Sequence, residues 1–159
     1  MRILCALVAV SVLCVGAAPA QPRSKIAPVA RRGDTVLTAR SVGLNVRVVI
    51  TTAATRRAAA QWDPKFYAPK SWVENLVINV NGSNIFMPLS AFLDLFDLRE
   101  AEVRLEEKTG VLLVRGGDAS ESYWAEIGFD TENVTRRRLG PSVPEGAVTQ
   151  ETTYRLVEQ

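Results

Sequence analysis

The chain alternates apolar and polar residues with a period of two in three segments, residues 74–80, 102–106 and 123–129. Successive side chains of a β-strand point to opposite faces, so this period predicts strands with one buried face. The inward set is Leu76, Ile78, Val80, Val103, Leu105, Tyr123, Ala125, Ile127 and Phe129. Residues 111–114 are continuously apolar, as expected of a more deeply buried strand. The pattern predicts a mainly β (α+β) fold.

Turn signals join these strands into antiparallel hairpins. Asn81-Gly82 is the strongest signal, because both positions tolerate the positive φ of a tight hairpin turn. Further turns are expected at residues 41–43, 108–110 and 131–133, and further strands at 35–39, 45–52, 84–87, 134–139 and 148–157. The last of these strands is expected to lie at a sheet edge. Ser90 can cap a short helix over residues 91–96, and the alanine-rich residues 53–61 favour a second.

The first 20 residues have the order of a secretory signal peptide. Met1-Arg2 gives a positive start, residues 3–16 are apolar, and Ala18-Pro19-Ala20 forms a small-residue cleavage site. The apolar run is short for a transmembrane helix, which needs about 20 residues, and an uncleaved anchor is the main alternative. Cys5 and Cys14 both follow leucine, so neither fits a lipid-anchor signal. The sequence therefore predicts a periplasmic or secreted protein.

The rest of the chain predicts a single small domain. Residues 21–34 contain two prolines and four basic residues without periodicity, which predicts a flexible arm. The β domain is expected at 35–139, and a connector with the edge strand at 140–159. Cleavage after Ala20 would leave 139 residues with 18 Lys and Arg, since Arg2 is lost, against 17 Asp and Glu. A net charge of about +1 gives no indication of nucleic-acid binding.

The residues that remain after the signal peptide exclude several kinds of chemistry. The chain has no His, and both of its cysteines lie within residues 1–20. Zinc and copper sites usually use His or Cys, so no metal and no cofactor is expected. A Ser-His-Asp triad is excluded too, and no G-x-S-x-G motif is present.

The best candidate site is the polar loop at residues 116–123. Two glycines permit tight turns, and the polar side chains between the strands would stand at an exposed tip. The candidate partner-binding residues are Asp118, Ser120, Glu121, Tyr123 and Trp124. The alternative is a hairpin connection that is polar because it contacts water. The acids of the loop do not have the spacing of an EF-hand calcium site.

Two other charged clusters allow further interpretations. Glycoside hydrolysis needs two acids across a cleft, and the acids Asp94, Asp97, Glu100 and Glu102 are close together in sequence. Their spacing is more typical of solvated surface charge. Arg136 and Arg138 would share one face of a strand, with Arg137 on the other. Contact with anionic polymers and ordinary ion pairing are both open for these arginines.

Residues 76–116 show a recognisable order of elements: a strand, Asn81-Gly82, a return that ends at Pro88, a short helix, and two strands split by Lys108-Thr109. This order is similar to the copper amine oxidase N-terminal domain, a stalk module of exported bacterial proteins. The family usually has an aromatic residue where this chain has Leu105. The resemblance implies a β-β-α-β-β accessory unit without copper chemistry or catalytic residues.

These observations together predict an exported, non-enzymatic binding module of the bacterial envelope. An inhibitor or immunity-type protein is the most specific version of this hypothesis. Its partner would be an envelope protein or a cell-wall polymer. The alternatives are a carboxylate-dependent cell-wall hydrolase and a structural envelope protein.

Overall fold

A computed structural model describes residues 22–54, 69–144 and 146–156. In these residues, ten strands form two antiparallel sheets, in the orders β2-β3-β4-β5 and β1-β6-β7-β8-β9-β10. The strands are β1 (Ala27–Pro28), β2 (Gly33–Ser41), β3 (Leu44–Ala53), β4 (Trp72–Val80), β5 (Ser83–Asn84), β6 (Glu100–Leu105), β7 (Gly110–Gly116), β8 (Tyr123–Phe129), β9 (Val134–Pro141) and β10 (Gln150–Thr153). The predicted mainly β fold of antiparallel hairpins is confirmed.

The two sheets share one hydrophobic core. All nine residues of the predicted inward set are buried, with exposed fractions of 8% or less. Leu37, Val46, Val48 and Ile50 of the β2–β3 hairpin join the same cluster. Full burial of an aliphatic side chain of this size stabilises a fold by about 1.5–3 kcal/mol. The alternation in the sequence therefore identified the face that holds the sheets together.

The Asn81-Gly82 turn closes the β4–β5 hairpin as predicted. Asn81 has a φ of 53° and Gly82 a φ of 93°, which is the left-handed conformation that this turn requires. The Asn81 side chain also accepts a hydrogen bond from the Asn45 backbone N–H (2.8 Å) and donates one to the Gly43 carbonyl (3.0 Å). One turn residue thus ties two neighbouring hairpins together.

The predicted helix cap at Ser90 is wrong. The helix in this region is a single 3-10 turn, Leu89–Ala91, and its N-cap residue is Pro88, with no side-chain cap hydrogen bond. The proline ring fixes φ near the observed −69°, so the turn begins one residue before Ser90. Ser90 lies inside the turn, and its hydroxyl faces that of Tyr154 at 3.4 Å.

The N-terminal arm contributes to the edge of the six-stranded sheet. β1 pairs with β6 through Ala27 and Pro28. Closer to the terminus, the Ser24 backbone N–H donates to the Val103 carbonyl (2.7 Å), and the Ser24 hydroxyl accepts from the Val103 N–H (2.8 Å). The structure thus places residues 22–28 along β6.

Some sequence predictions fall on residues that the structure does not describe. These are the signal peptide at residues 1–20 and most of the helix predicted at residues 53–61. The first residue of that predicted helix, Ala53, is described and is the last residue of β3. In the part of the chain that is described, no helix has both the length and the apolar character needed to cross a membrane.

Candidate functional site

The candidate loop forms a compact turn between β7 and β8. We call residues 117–122 the site turn. It contains a second 3-10 helix, Ala119–Glu121, closed by hydrogen bonds from the Glu121 N–H to the Asp118 carbonyl (2.8 Å) and from the Ser122 N–H to the Ala119 carbonyl (3.2 Å). The side chains of Asp118, Ser120 and Glu121 are exposed.

Gly117 makes this compact turn possible. Its φ is +73°, and a Cβ atom at this position would collide with the carbonyl oxygen of Glu121. A residue with a side chain would therefore be strained twice, by its backbone conformation and by this contact. This requirement explains the second glycine of the Gly116-Gly117 pair.

Tyr123, the first residue of β8, anchors the chain directly after the site turn. Its hydroxyl accepts a hydrogen bond from the Phe96 backbone N–H (2.8 Å) and donates one to the Phe96 carbonyl (2.7 Å). The two rings pack with centroids 5.1 Å apart. Burial raises the pKa of Tyr123 above its ordinary value, since the phenolate would have to leave water. Gly116 permits the approach, because a Cβ there would lie 2.7 Å from the Tyr123 hydroxyl.

Trp124 lies on the opposite face of β8 from Tyr123. It is 8% exposed, and its indole N–H meets no acceptor in the described parts of the chain. It lines a groove of about 250 Å³ with Leu113, Glu126 and Ser142, which we call the outer groove. The structure therefore does not bring the five predicted site residues together on one surface.

The outer groove is balanced in charge. Three arginines line it, and each already has a carboxylate partner. The pairs are Arg104 with Glu102 (2.9 Å), Arg115 with Glu100 (2.7 Å), and Arg138 with Glu126 (3.6 Å) and Glu151 (3.5 Å). An anionic ligand would have to displace these acids, so the described lining of the groove offers no unpaired arginine to attract one.

A second cavity lies beside the site turn, and we call it the apolar socket. It has a volume of about 250 Å³. Phe96, Tyr123, Leu139 and Pro141 supply its apolar surface, and the site turn contributes one side of its rim through Ser120, Glu121 and Ser122. The site turn thus borders an apolar cavity that the sequence did not predict.

On its other side, the site turn borders a smaller and polar cavity. This cavity has a volume of about 120 Å³ and is lined by Asp118 together with Arg31, Lys70 and Arg99. The two exposed acids of the site turn therefore line different cavities. Asp118 lies close to basic residues, and Glu121 lies at the rim of the apolar socket.

An ion pair between the buried Arg137 and the half-exposed Asp94 lies next to the apolar socket, and the sequence did not predict it. Arg137 is 2% exposed, and one of its terminal nitrogens donates to both carboxylate oxygens of Asp94 at 2.7 Å. Its other terminal nitrogen donates to Gln150 (3.0 Å). The predicted alternation placed Arg137 on the face opposite Arg136 and Arg138 correctly. Its partner lies 43 residues away, so spacing along the chain gave no signal of the pair.

The four acids considered for hydrolysis each stabilise a different part of the fold. Asp94 binds Arg137, and Asp97 accepts hydrogen bonds from the backbone N–H groups of Lys70 and Ser71. Glu100 and Glu102 bind Arg115 and Arg104. Within the described residues, no group of three or more His, Cys, Asp or Glu side chains is placed to hold a metal ion.

Comparison of the chain with protein-family models, with curated proteins and with solved structures found no match. The feature that stands out is the site turn, with exposed polar side chains, next to an apolar cavity.

Proposed function

We propose that the protein is an exported, non-enzymatic binding module of the bacterial envelope, and that it recognises another protein through the site turn. The observation that carries this proposal is that the exposed side chains of Asp118, Ser120 and Glu121 make no hydrogen bond or ion pair within the described residues. The 3-10 helix has no side-chain cap, and no ion pair in the described residues includes Asp118 or Glu121.

The rigidity of the site turn supports the same proposal. Its backbone is fixed by its own hydrogen bonds, by the conformation of Gly117 and by Tyr123 beneath it. The Ser142 N–H also donates to the Ser122 carbonyl (3.0 Å). A turn that is ordered before binding loses little conformational entropy when a partner binds. An inhibitor or immunity-type protein that inserts such a turn into a cleft is the most specific version of the proposal.

Export and the envelope partner are supported by the signal-peptide pattern of residues 1–20. The resemblance of residues 76–116 to a stalk domain also supports an accessory, non-catalytic role. Cell-wall polymer remains the other class of envelope partner, and the experiment below separates it from a protein.

The proposal is tested by affinity capture from bacterial envelope extract on the immobilised protein, followed by mass spectrometry. The affinity of the captured partner is then measured for the triple variant D118A/S120A/E121A. The matched control is E107A/T131A/E132A, which also removes two carboxylates and one hydroxyl from exposed residues, at the opposite end of β7 and β8.

We expect the site-turn variant to weaken binding about tenfold or more, because loss of a few central contacts usually costs more than 1 kcal/mol. The control variant should bind within about twofold of the original protein. Equal affinity of both variants would contradict the assignment of the site turn. Recovery of cell-wall glycan without any protein would contradict a protein partner.

A further inference from the structure

The apolar socket has the size of a single side chain. An apolar cavity of about 150 Å³ is large enough for a benzene ring, and the socket measures about 250 Å³. Pockets for whole cofactors and drug-sized ligands begin at about 300 Å³. The socket therefore fits one large apolar side chain better than it fits a whole small-molecule ligand.

The walls of the apolar socket suit an apolar guest. Phe96 and Tyr123 are almost fully buried, and the polar atoms of the Tyr123 hydroxyl and the Phe96 backbone already bond to each other. The floor thus presents ring carbons and no unsatisfied polar atom from this pair. Polar groups lie at the rim, as in the central pockets of protein interfaces.

The rim of the apolar socket is acidic. Asp94 and Glu121 line it, and none of its described lining residues is Lys or Arg. The charge of Asp94 is met by Arg137, whereas Glu121 takes part in no ion pair within the described residues. One exposed carboxylate therefore remains for a positive charge on the partner.

We infer that the partner inserts one large apolar side chain, of the size of Phe, into the apolar socket, from a segment that carries Lys or Arg beside it. The inference rests on the proposed function and specifies the chemistry of the partner at the same site. The apolar side chain would supply most of the affinity, and the pairing with Glu121 would fix the orientation of the segment.

Two-dimensional NMR with the ¹⁵N-labelled protein tests this inference directly. The probes are four blocked peptides with the central pairs Phe-Lys, Ala-Lys, Phe-Glu and Ala-Glu. The Phe-Lys peptide should shift the amide signals of Ser120, Tyr123 and Gly140. We expect Ala-Lys to bind about tenfold more weakly, because burial of the ring is lost. Phe-Glu should bind about two- to fivefold more weakly, since the charge effect is exposed and screened.

Two variants with matched controls identify the residues. E121K should reverse the preference between Phe-Lys and Phe-Glu, whereas E132K, an exposed acid at the other end of β8, should leave it unchanged. Thr149 lies exposed at the rim, so T149F should cover the apolar socket and weaken Phe-Lys binding about tenfold. T131F is its control and should have no effect.

Three results would overturn the inference. They are an absence of shifts at these amides, shifts that do not depend on the aromatic residue, and concentration-dependent shifts without peptide, which would assign the apolar socket to a second copy of this chain. The protein partner itself distinguishes the two proposals. If D118A/S120A/E121A lowers the affinity for the partner but T149F does not, only the inference about the apolar socket fails. If neither variant weakens it, the proposed surface fails as well.

Discussion

The two turns at opposite ends of β8 are built in different ways. At the far end, residues 130–133 form a turn in which Asp130 is part of the scaffold. Its carboxylate accepts hydrogen bonds from the backbone N–H groups of Glu132 and Asn133, both at 2.8 Å. At the near end, Asp118 precedes the 3-10 helix of the site turn but makes no such cap. Tyr123, from the core, holds that end of the strand.

This difference distinguishes polar side chains that stabilise the turn from polar side chains that are exposed for binding. Short polar side chains in turns usually bond to nearby backbone groups, which is why they are favoured there. Asp130 follows this rule, and Asp118 does not. Within the described residues the Asp118 carboxylate makes no hydrogen bond or ion pair, so it can contact another molecule. Single substitutions in the two turns test this contrast through their effects on stability.

The largest effect is expected from Y123F. Removal of the hydroxyl deletes two buried hydrogen bonds with the Phe96 backbone, which costs about 2–3 kcal/mol in the free energy of unfolding. Urea denaturation measures the change. Y154F is the control, since within the described residues the only hydrogen bond of the Tyr154 hydroxyl is a long one, 3.4 Å, with Ser90. Equal stability of the two variants would show that Tyr123 does not anchor the near end.

A smaller loss is expected from D130A. Two backbone N–H groups lose their acceptor at a partly exposed turn, so the variant should be less stable by about 1–2 kcal/mol. D118A should change the stability by no more than about 0.5 kcal/mol. Thermal unfolding of both variants under the same conditions gives the comparison. A destabilisation of D118A equal to that of D130A would break the contrast between the two turns.

Alkaline pH should lower the free energy of unfolding through Tyr123, at the end of β8 next to the site turn. The pKa of Tyr123 is raised in the folded protein by burial, so the folded state favours the neutral phenol. The contribution of Tyr123 to the free energy of unfolding is fully present below about pH 10, where the phenol is neutral in the unfolded chain too. It declines as the pH rises above about 10, because the unfolded chain then loses the proton more readily than the folded protein. By pH 11 the loss should reach about 1 kcal/mol relative to Y123F. Parallel pH profiles of the two proteins would argue against a buried phenol.

The smallest effect on stability is expected from D118A/S120A/E121A. These exposed side chains support no part of the described fold, so the triple variant should unfold within about 0.5 kcal/mol of the original protein. Circular dichroism should show the same spectrum for both. A marked loss of stability would mean that reduced partner binding by this variant reflects damage to the fold.

The sequence predicted the parts of the fold that depend on local pattern. Alternation identified Leu76, Val103 and Ile127 as core residues, and the positive φ tolerated by Asn81 and Gly82 identified a hairpin turn. The alternation along β9 predicted that Arg137 lies on the face opposite Arg136 and Arg138. Each of these features depends on residues close together in the chain, where a period or a turn preference is visible.

The features that the sequence did not reveal depend on distant residues. The Tyr123 hydroxyl meets the backbone of Phe96, 27 residues away, so a residue expected at the binding surface forms the floor of a cavity. Trp124 has the outward register that alternation assigns to it, yet it is buried. Its ring lies next to Gly140, at a distance of about 2.8 Å from the position that a Cβ there would occupy. Only the folded chain brings these residues together.

The outermost strands of the six-stranded sheet are short, two residues in β1 and four in β10. A long, open edge would offer a row of backbone donors and acceptors to any extended peptide, regardless of its side chains. In this sheet, which carries the site turn, such a template is small on both sides. Discrimination between partners would then depend on shape and charge at the site turn and the apolar socket. The same short strands should limit edge-to-edge pairing of this sheet with a second copy of the chain.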